Sequence, residues 1–331
     1  MKKWNVDWCF GANFYPSNAI NQLEMWQEDT FSPELIDREL GFAEKIGMKI
    51  MRVYLHDLLW EQDKEGFLKR IEKYLEIADN HNIKTMFVFF DDCWNSEFAL
   101  GKQPEPKPFT HNPGWLQSPG NKVCDDPSQW GRLKVYVQGV MKHFAHDDRV
   151  VLWDLYNEPG NGIEGDHLTS TEVRGLATLP LLKAVFEWAR EVEVEQPITA
   201  GLWDVWDKFP ELNDFILENS ELISFHCYQR KESLEELSLK LQKIANGRPI
   251  LCSEYMARTY NSTFQDCLPL MKKYGVYAIN WGLVEGKTQT IYPWRWTEEK
   301  GMPEKYFHDV FHKDGTLLHP EEEEIFKEMV K

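Results

Sequence analysis

The sequence predicts a (β/α)8 barrel, formed as a single domain over residues 1–331. Short apolar runs alternate with amphipathic stretches along the whole chain, and eight of these runs have the character of buried strands. No Gly/Ser-rich linker and no change in charge divides the chain. Strand and helix repeated eight times at this length are typical of a closed parallel barrel.

The predicted strands are apolar runs of four to seven residues. They cover residues 8–14, 50–55, 85–90, 150–156, 198–202, 222–227, 250–253 and 276–281. The stretches between them show the 3.6-residue period of helices. One stripe consists of Phe67, Ile71, Tyr74, Leu75 and Ala78. Ser32-Pro33 and Asp126-Pro127 each place a capping oxygen before a proline, which predicts helix starts there.

A doubly wound open sheet also alternates strands and helices, but it usually carries a glycine-rich turn after its first strand. Residues 11–16 read Gly-Ala-Asn-Phe-Tyr-Pro, and no phosphate-binding loop occurs elsewhere, so the barrel is favoured. Two connections are long, residues 91–126 and 282–318, and both follow predicted strands. Because barrels build their sites at the carboxyl ends of strands, we expect these connections to wall a cleft.

The composition narrows the choice of partner. A formal net charge of -17 repels phosphate backbones and anionic lipids, so neither nucleic acid nor a membrane is expected to bind. Fourteen Trp, nineteen Phe and twelve Tyr supply flat apolar rings that suit the faces of sugars. A neutral carbohydrate is the expected partner.

The six cysteines show no paired motif, and we expect buried, reduced thiols. The first residues have no apolar signal region, and no run of about 18 apolar residues occurs. These features predict a cytoplasmic protein, although a removed signal peptide would leave the same pattern.

Two glutamates are placed where catalytic groups of a barrel are found. Glu158 follows the apolar run 150–156, and Glu254 follows the run 250–253, at the ends of the fourth and seventh predicted strands. In a closed ring these ends face each other across the mouth. Cleavage of an acetal needs one carboxyl group as proton donor and a second beside the anomeric carbon. Each glutamate alone is equally well explained as a surface carboxylate at the start of a loop.

Neighbouring residues favour the catalytic interpretation. Arg52 lies inside an apolar strand, where an unpaired guanidinium is costly, so it needs a carboxylate. Beside Glu254 it would favour the ionised form that a nucleophile requires. Tyr228 is a donor for the same carboxylate, and Asn157 is a candidate contact for a sugar hydroxyl. Trp281 is a candidate floor for the sugar ring, although each residue alone also fits an ordinary core position.

Together these residues resemble the clan A retaining glycoside hydrolases, most closely the cellulase-like and mannanase-like enzymes of family 5. The resemblance rests on Asn157-Glu158-Pro159, Glu254, Arg52, His226-x-Tyr228 and Trp281, each on the matching strand. It implies Glu158 as acid/base and Glu254 as nucleophile. It also implies retention by double displacement, carboxyl groups about 5 to 5.5 Å apart, and no metal or cofactor. The residues that it places around the reacting sugar are Arg52, Asn157, His226, Tyr228 and Trp281.

The third strand departs from the family pattern. Family 5 enzymes commonly carry a histidine near its end, whereas this chain has Asp91, Asp92 and Trp94. The two acids are candidates for gripping sugar hydroxyls, with Trp94 stacking beside them, or equally for capping the loop. His56 is a candidate replacement for the missing histidine. Glu285, in the connection after strand eight, is a further candidate sugar contact.

The expected function is a retaining β-glycoside hydrolase acting on a glucan, mannan or xylan. A transglycosylase would use the same residues, and a catalytically silent sugar-binding barrel would need neither glutamate. A metal-dependent barrel enzyme would need several ligands at strand ends, where only His226 is placed. The pairs His143/His146 and His308/His312 have ligand-like spacing, but we expect them on the surface of outer helices.

Overall fold

A parallel sheet of nine short strands curls into a barrel at the centre of the molecule. The computed structural model describes residues 2, 4–161, 174–203 and 208–331. The strands are β1 Phe10–Asn13, β2 Ile50–Tyr54, β3 Lys84–Asp91, β4 Val150–Asn157, β5 Ile198–Thr199, β6 Gly201–Leu202, β7 Ile223–His226, β8 Ile250–Glu254 and β9 Val276–Trp281. All eight predicted strand positions are occupied, and the predicted barrel is confirmed.

The extra strand arises because the predicted strand 198–202 is divided at Ala200. β5 pairs with β4 and β6 pairs with β7, so the chain itself closes the ring between them. Gly201, the first residue of β6, faces the barrel mouth. A Cβ atom there would lie 3.1 Å from His226 Nε2 and 3.7 Å from Arg52 Nη2, so glycine leaves room for two side chains that fill the barrel mouth.

Helices follow the strands and cover the outside of the barrel. They are α1 Gln22–Trp26, α2 Pro33–Lys45, α3 Asp57–Asn80, α4 Asn121–Cys124, α5 Trp130–His143, α6 Leu179–Arg190, α7 Pro210–Asn219, α8 Lys231–Ile244, α9 Phe264–Tyr274 and α10 Glu323–Met329. The apolar stripe predicted on α3 is buried. Asp126 caps a short 3-10 turn before α5, whereas Ser32 makes no side-chain cap bond at α2. Among the described residues, no helix has the length and apolarity needed to span a membrane.

Strand register brings the polar residues to one level at the carboxyl end. Asn13 of β1 is the partner of Arg52 on one side and of Trp281 on the other. Asp91 is paired with Asn157, and His226 with Glu254. The opposite end is apolar and filled by Cys9, Ile50, Met86, Leu152, Leu222, Leu251 and Ile279. All six cysteines are in the described part of the chain, with buried, free thiols as predicted.

A buried ion pair ties the end of the chain to the barrel. Arg258, after β8, donates to both carboxylate oxygens of Glu322 at 2.7 and 2.8 Å. The two side chains are 2% and 3% exposed. Arg258 also donates to the backbone carbonyl of Asp309, so its charge is fully engaged.

We expect Arg258→Ala to lower the free energy of unfolding by about 3–5 kcal/mol, because Glu322 would be left as a buried, uncompensated charge. Urea denaturation followed by tryptophan fluorescence measures the change. Lys327→Ala breaks an exposed pair with Glu323 and is the control, with an unchanged midpoint. If both variants unfolded at the same urea concentration, the stabilising role assigned to the Arg258–Glu322 pair would be contradicted.

Candidate active site

A cleft of about 800 Å³ opens at the carboxyl ends of the strands. Seven of the twelve predicted site residues line it: Asp91, Trp94, Asn157, Glu158, Tyr228, Glu254 and Trp281. Arg52 and His226 lie directly behind the two glutamates and bond to them. His56, Asp92 and Glu285 lie elsewhere.

Arg52 is the centre of the polar network, with a fully buried side chain. Its Nε and Nη2 atoms both donate to Asp154 Oδ2, at 3.0 and 2.7 Å, and its Nη1 donates to Glu254 Oε1 at 2.8 Å. The side-chain oxygens of Asn13 and Asn157 accept further bonds at 2.9 and 2.6 Å. The guanidinium therefore holds two carboxylates and two amides in fixed positions.

Glu254 ends β8 and receives donors at both oxygens. Besides Arg52, the hydroxyl of Tyr54 lies 3.1 Å from Oε1, and the hydroxyl of Tyr228 donates to Oε2 at 2.6 Å. These donors and the charge of Arg52 stabilise the ionised carboxylate. Tyr54 was missed in the sequence, although alternation along a strand places it on the same face as Arg52.

Asp154 was also missed. It is fully buried and accepts two bonds from Arg52. The signal in the sequence was a lone acid inside the apolar run 150–156, matched by a lone arginine inside the run 50–55. Buried charges occur in pairs, so these two residues were candidates for each other.

Glu158 has different surroundings from Glu254. Its backbone lies in the left-handed region, with a φ of 43°. His226 Nδ1 lies 2.6 Å from Oε1, while Cys93 Sγ and Asn161 Nδ2 donate to Oε2 at 2.8 and 2.5 Å. Burial acts to raise the pKa of Glu158, but His226 and these donors hold it below its usual value.

The two glutamates and His226 form one compact group. One carboxylate oxygen of each glutamate and a ring nitrogen of His226 all lie within 4.8 Å of one another. This spacing would suit a metal ion, and it is the one such group within the described residues. Its ligand atoms already have partners, because Arg52 and Tyr228 bond to Glu254 and Glu158 bonds to His226. A cation would therefore have to displace an existing ion pair, and a metal-free reaction stays a prediction.

Asp91 lies at the end of β3 and faces the cleft. It accepts hydrogen bonds from Asn157 Nδ2, Trp115 Nε1 and the backbone of Cys93, at 2.9, 2.9 and 2.8 Å. Burial raises its pKa to about 7 despite these donors. Both polar atoms of Asn157 are thus bonded within the protein, to Arg52 and to Asp91.

Asp92 points away from the cleft, which corrects its assignment as a sugar contact. Its carboxylate accepts hydrogen bonds from the hydroxyls of Tyr156 and Thr178 and from the backbone of Gly160. The physical reason is strand alternation, since Asp91 faces the barrel mouth and the next side chain must face the opposite way. Asp92 therefore secures the chain after β4, a loop-capping role that was the alternative for it.

His56 and Glu285 are also corrected. His56 caps α3 by accepting from the backbone of Leu58, and its Nε2 lies 3.0 Å from the carbonyl oxygen of Gln117. Both ring nitrogens are therefore used inside the protein. Glu285 bonds to His312 at 3.0 Å and lies outside the cleft lining.

Aromatic rings form much of the cleft surface. Trp281 packs edge-on against Tyr54 and Trp115, with ring centroids 5.8 and 5.5 Å apart. Trp94 packs against His111 at 5.4 Å. These rings provide the flat apolar surface that was expected for a sugar.

The two long connections meet and form one wall of the cleft, which we call the joined loops (residues 107–115 and 287–297). The backbone of Asn112 donates to the carbonyl of Thr288 at 2.8 Å, and His111 Nδ1 lies 2.7 Å from the carbonyl oxygen of Tyr292. Gln289 bonds across to Lys107 at 2.7 Å. The cleft is therefore closed on this side by hydrogen-bonded backbone.

The prediction for His308 was wrong. Instead of lying on an outer helix, it is fully buried and lines the cleft, with its ring 5.3 Å from that of His111. His111 and Asn112 are two further lining residues that the sequence did not reveal. All three are on loops, and the only available signal was their position in the two long connections.

Comparison with known proteins supports this description. Residues 109–285, more than half of the chain, match the family model described as glycosyl hydrolases family 2, TIM barrel domain. No curated protein sequence matched the chain.

Solved structures of similar fold include proteins named GH5_18 and an endo-mannanase. GH5_18 from Streptomyces cattleya, in complex with Manb1-4GlcNAc, is 10% identical with a TM-score of 0.66, covering 98% of this chain and 80% of that one. GH5_18 from Bifidobacterium longum, in complex with the same sugar, is 14% identical with a TM-score of 0.65, covering 98% and 78%. The endo-1,4-beta-D-mannanase of Thermotoga petrophila is 15% identical with a TM-score of 0.59, covering 98% and 99%.

At these identities the likeness is one of fold, and it confirms the expected resemblance to family 5 at that level. The match to the family model gives the classification, because it extends from the loop after β3 to the beginning of the loop after β9. The predicted enzyme class is confirmed. This chain is a glycoside hydrolase, and it belongs to the family described as glycosyl hydrolases family 2, TIM barrel domain.

Proposed function

We propose that the chain hydrolyses β-mannosidic linkages with retention of configuration, using Glu254 as nucleophile and Glu158 as acid/base. The observation that carries this proposal is the pair of carboxylates, in which one oxygen of each lies within 4.8 Å of the other and the hydrogen-bond partners differ. Retaining enzymes place their carboxyl groups about 5 to 5.5 Å apart, whereas inverting enzymes need at least about 6.5 Å to admit a water molecule.

The nucleophile must be ionised before substrate arrives. Glu254 has the charge of Arg52 at 2.8 Å and two tyrosine hydroxyls as donors, all of which stabilise the anion. Its attack on the anomeric carbon forms a glycosyl ester and expels the leaving oxygen.

The acid must deliver a proton to that leaving oxygen. The 2.6 Å bond between His226 Nδ1 and Glu158 Oε1 contains one proton, whichever atom carries it. With His226 protonated on both ring nitrogens, a bound sugar that excludes water disfavours the imidazolium–carboxylate charge pair, so the Nδ1 proton moves to Glu158 and leaves a neutral imidazole protonated at Nε2. Once Glu254 is esterified its negative charge is gone, so the pKa of Glu158 falls and it can deprotonate the attacking water.

Mannose is proposed as the sugar because of the comparisons, in which enzymes named as mannanases and complexes with Manb1-4GlcNAc share this fold. The aromatic cleft and the negative net charge favour a neutral carbohydrate over an anionic one. Residence in the cytoplasm stays a prediction, supported by six free thiols.

Glu158→Ala should lower kcat on aryl β-mannosides that need protonation by about 100- to 10,000-fold, because general acid catalysis is lost. With a dinitrophenyl leaving group, which departs without a proton, the first step should be almost unaffected. Glu254→Ala should abolish turnover of both substrates, and azide should restore it with the opposite anomeric product. Kinetics on the two substrates measure the contrast.

Glu285→Ala is the matched control, since this glutamate lies outside the cleft. Wild-type turnover of glucosides or xylosides in preference to mannosides would overturn the choice of sugar. Full activity in either glutamate variant would overturn the mechanism.

Cys93 provides a test of how Glu158 is held. The thiol donates to the carboxylate, stabilising its ionised form, so its removal should raise the pKa of Glu158. The high-pH limb of the kcat/KM profile, which reports loss of the acid proton in the free enzyme, should move upward by about one pH unit in Cys93→Ala.

Cys93→Ser restores a donor and should return the limb close to its wild-type position. Cys9→Ala, at the opposite end of the barrel, controls for loss of a buried thiol. If the high-pH limb of the kcat/KM profile is unchanged in Cys93→Ala, the thiol does not affect the pKa of Glu158.

A further inference from the structure

The joined loops and the neighbouring His308 present polar atoms that the protein itself does not use. His308 lines the cleft and is fully buried. Its Nδ1 lies 2.5 Å from the carbonyl oxygen of Met256, and a carbonyl only accepts, so Nδ1 carries the proton. Burial lowers the pKa of His308 well below its usual value, so the ring is neutral and Nε2 holds a lone pair.

That Nε2 atom has no hydrogen-bond partner among the described residues. The ring lies 5.3 Å from the ring of Tyr228, whose hydroxyl bonds to Glu254. His308 is therefore separated from the proposed nucleophile by one side chain, that of Tyr228.

His111 resembles His308 in its hydrogen bonding and its protonation. Its Nδ1 donates to the carbonyl oxygen of Tyr292 at 2.7 Å, which leaves Nε2 as an acceptor. Burial lowers the pKa of His111 to about 4, so it too is neutral at ordinary pH. The rings of His111 and His308 are 5.3 Å apart.

Asn112 adds a donor and an acceptor. Its side chain is fully buried and lines the cleft, and neither its Nδ2 nor its Oδ1 has a partner in the part of the chain that the structure describes. Its backbone is fixed in the left-handed region, at a φ of 51°, by the bond to Thr288. The backbone of Asn112 is thus held at the cleft, and the hydrogen bonds of its side-chain amide are unmade within the described residues.

Unmade hydrogen bonds of buried groups are unfavourable. Two such residues together on one wall of a cleft indicate a ligand that completes them. We propose that Asn112 and His308, with His111 beside them, bind hydroxyl groups of the reacting sugar and select a neutral, hydroxyl-bearing unit. The imidazole acceptors require O–H donors, so a uronic acid carboxylate at the same position would be rejected.

This inference rests on the proposed function in that it places a sugar in the cleft, but binding can be tested apart from turnover. Calorimetric titration of the wild-type chain with methyl β-D-mannoside measures affinity directly. The matched variants are His308→Asn and His308→Gln. Asparagine places its amide near the position of Nδ1 and removes Nε2, whereas glutamine places a polar atom near the position of Nε2.

We expect His308→Asn to weaken binding by about 10- to 100-fold and His308→Gln to stay within about threefold of wild type. A purely structural role through Met256 would give the reverse order, because only asparagine keeps that bond. His312→Asn, outside the cleft lining, is the control with unchanged affinity. Thermal unfolding of each variant confirms that it is folded.

Mono-deoxy analogues of the mannoside identify the hydroxyl. With the wild type, one analogue should bind about 10- to 100-fold more weakly than the parent mannoside. With His308→Asn, the same analogue and the parent mannoside should bind equally well. Equal losses for every analogue in both proteins, or no binding of the parent sugar to the wild type, would overturn the inference. If methyl β-D-mannoside binds but aryl β-mannosides are not hydrolysed, the proposed function is refuted and the hydroxyl-binding site is still supported.

Discussion

The structure depends on one buried positive charge. Removing the guanidinium of Arg52 from water is costly unless it is paired and hydrogen-bonded, and its partners come from three other strands, Asn13 on β1, Asp154 and Asn157 on β4, and Glu254 on β8. A shift of any one of these strands would leave the charge incompletely paired. The ion pair therefore helps to fix the register of the barrel at the level where its chemistry takes place.

The same charge separates the properties of the two glutamates. Glu254 is bonded to Arg52, while Glu158 is bonded to a histidine, a thiol and an amide. Two carboxylates so close together repel each other, and the guanidinium relieves this repulsion at Glu254, whereas His226 lowers the pKa of Glu158. The proposed roles therefore require the pKa of Glu158 to rise when a sugar binds, while Glu254 keeps its guanidinium partner. His226 lies between the two carboxylates, with its Nδ1 2.6 Å from Glu158 and 3.6 Å from Glu254.

Residues placed by strands could be predicted from the sequence, and residues placed by loops could not. Glu158, Glu254, Arg52, Tyr228 and Trp281 lie at or near strand ends, where the direction of the barrel determines their position. Alternation along β2 and β3 is sufficient to place Tyr54 on the same face as Arg52 and Asp92 on the face opposite Asp91. Asn112, His111 and His308 lie where two long loops meet, and contacts between loops depend on backbone geometry that no period in the sequence encodes. His56 and Glu285 were misplaced for the same reason.

Covalent trapping tests the central claim most directly, namely that the carboxylate held by Arg52 is the nucleophile. A 2-deoxy-2-fluoro mannosyl fluoride should inactivate the wild-type chain and add the mass of one fluorosugar, and peptide mass spectrometry should place the adduct on Glu254. An adduct on Glu158 or another residue, or continued turnover with no adduct while ordinary mannosides are hydrolysed, would contradict the account.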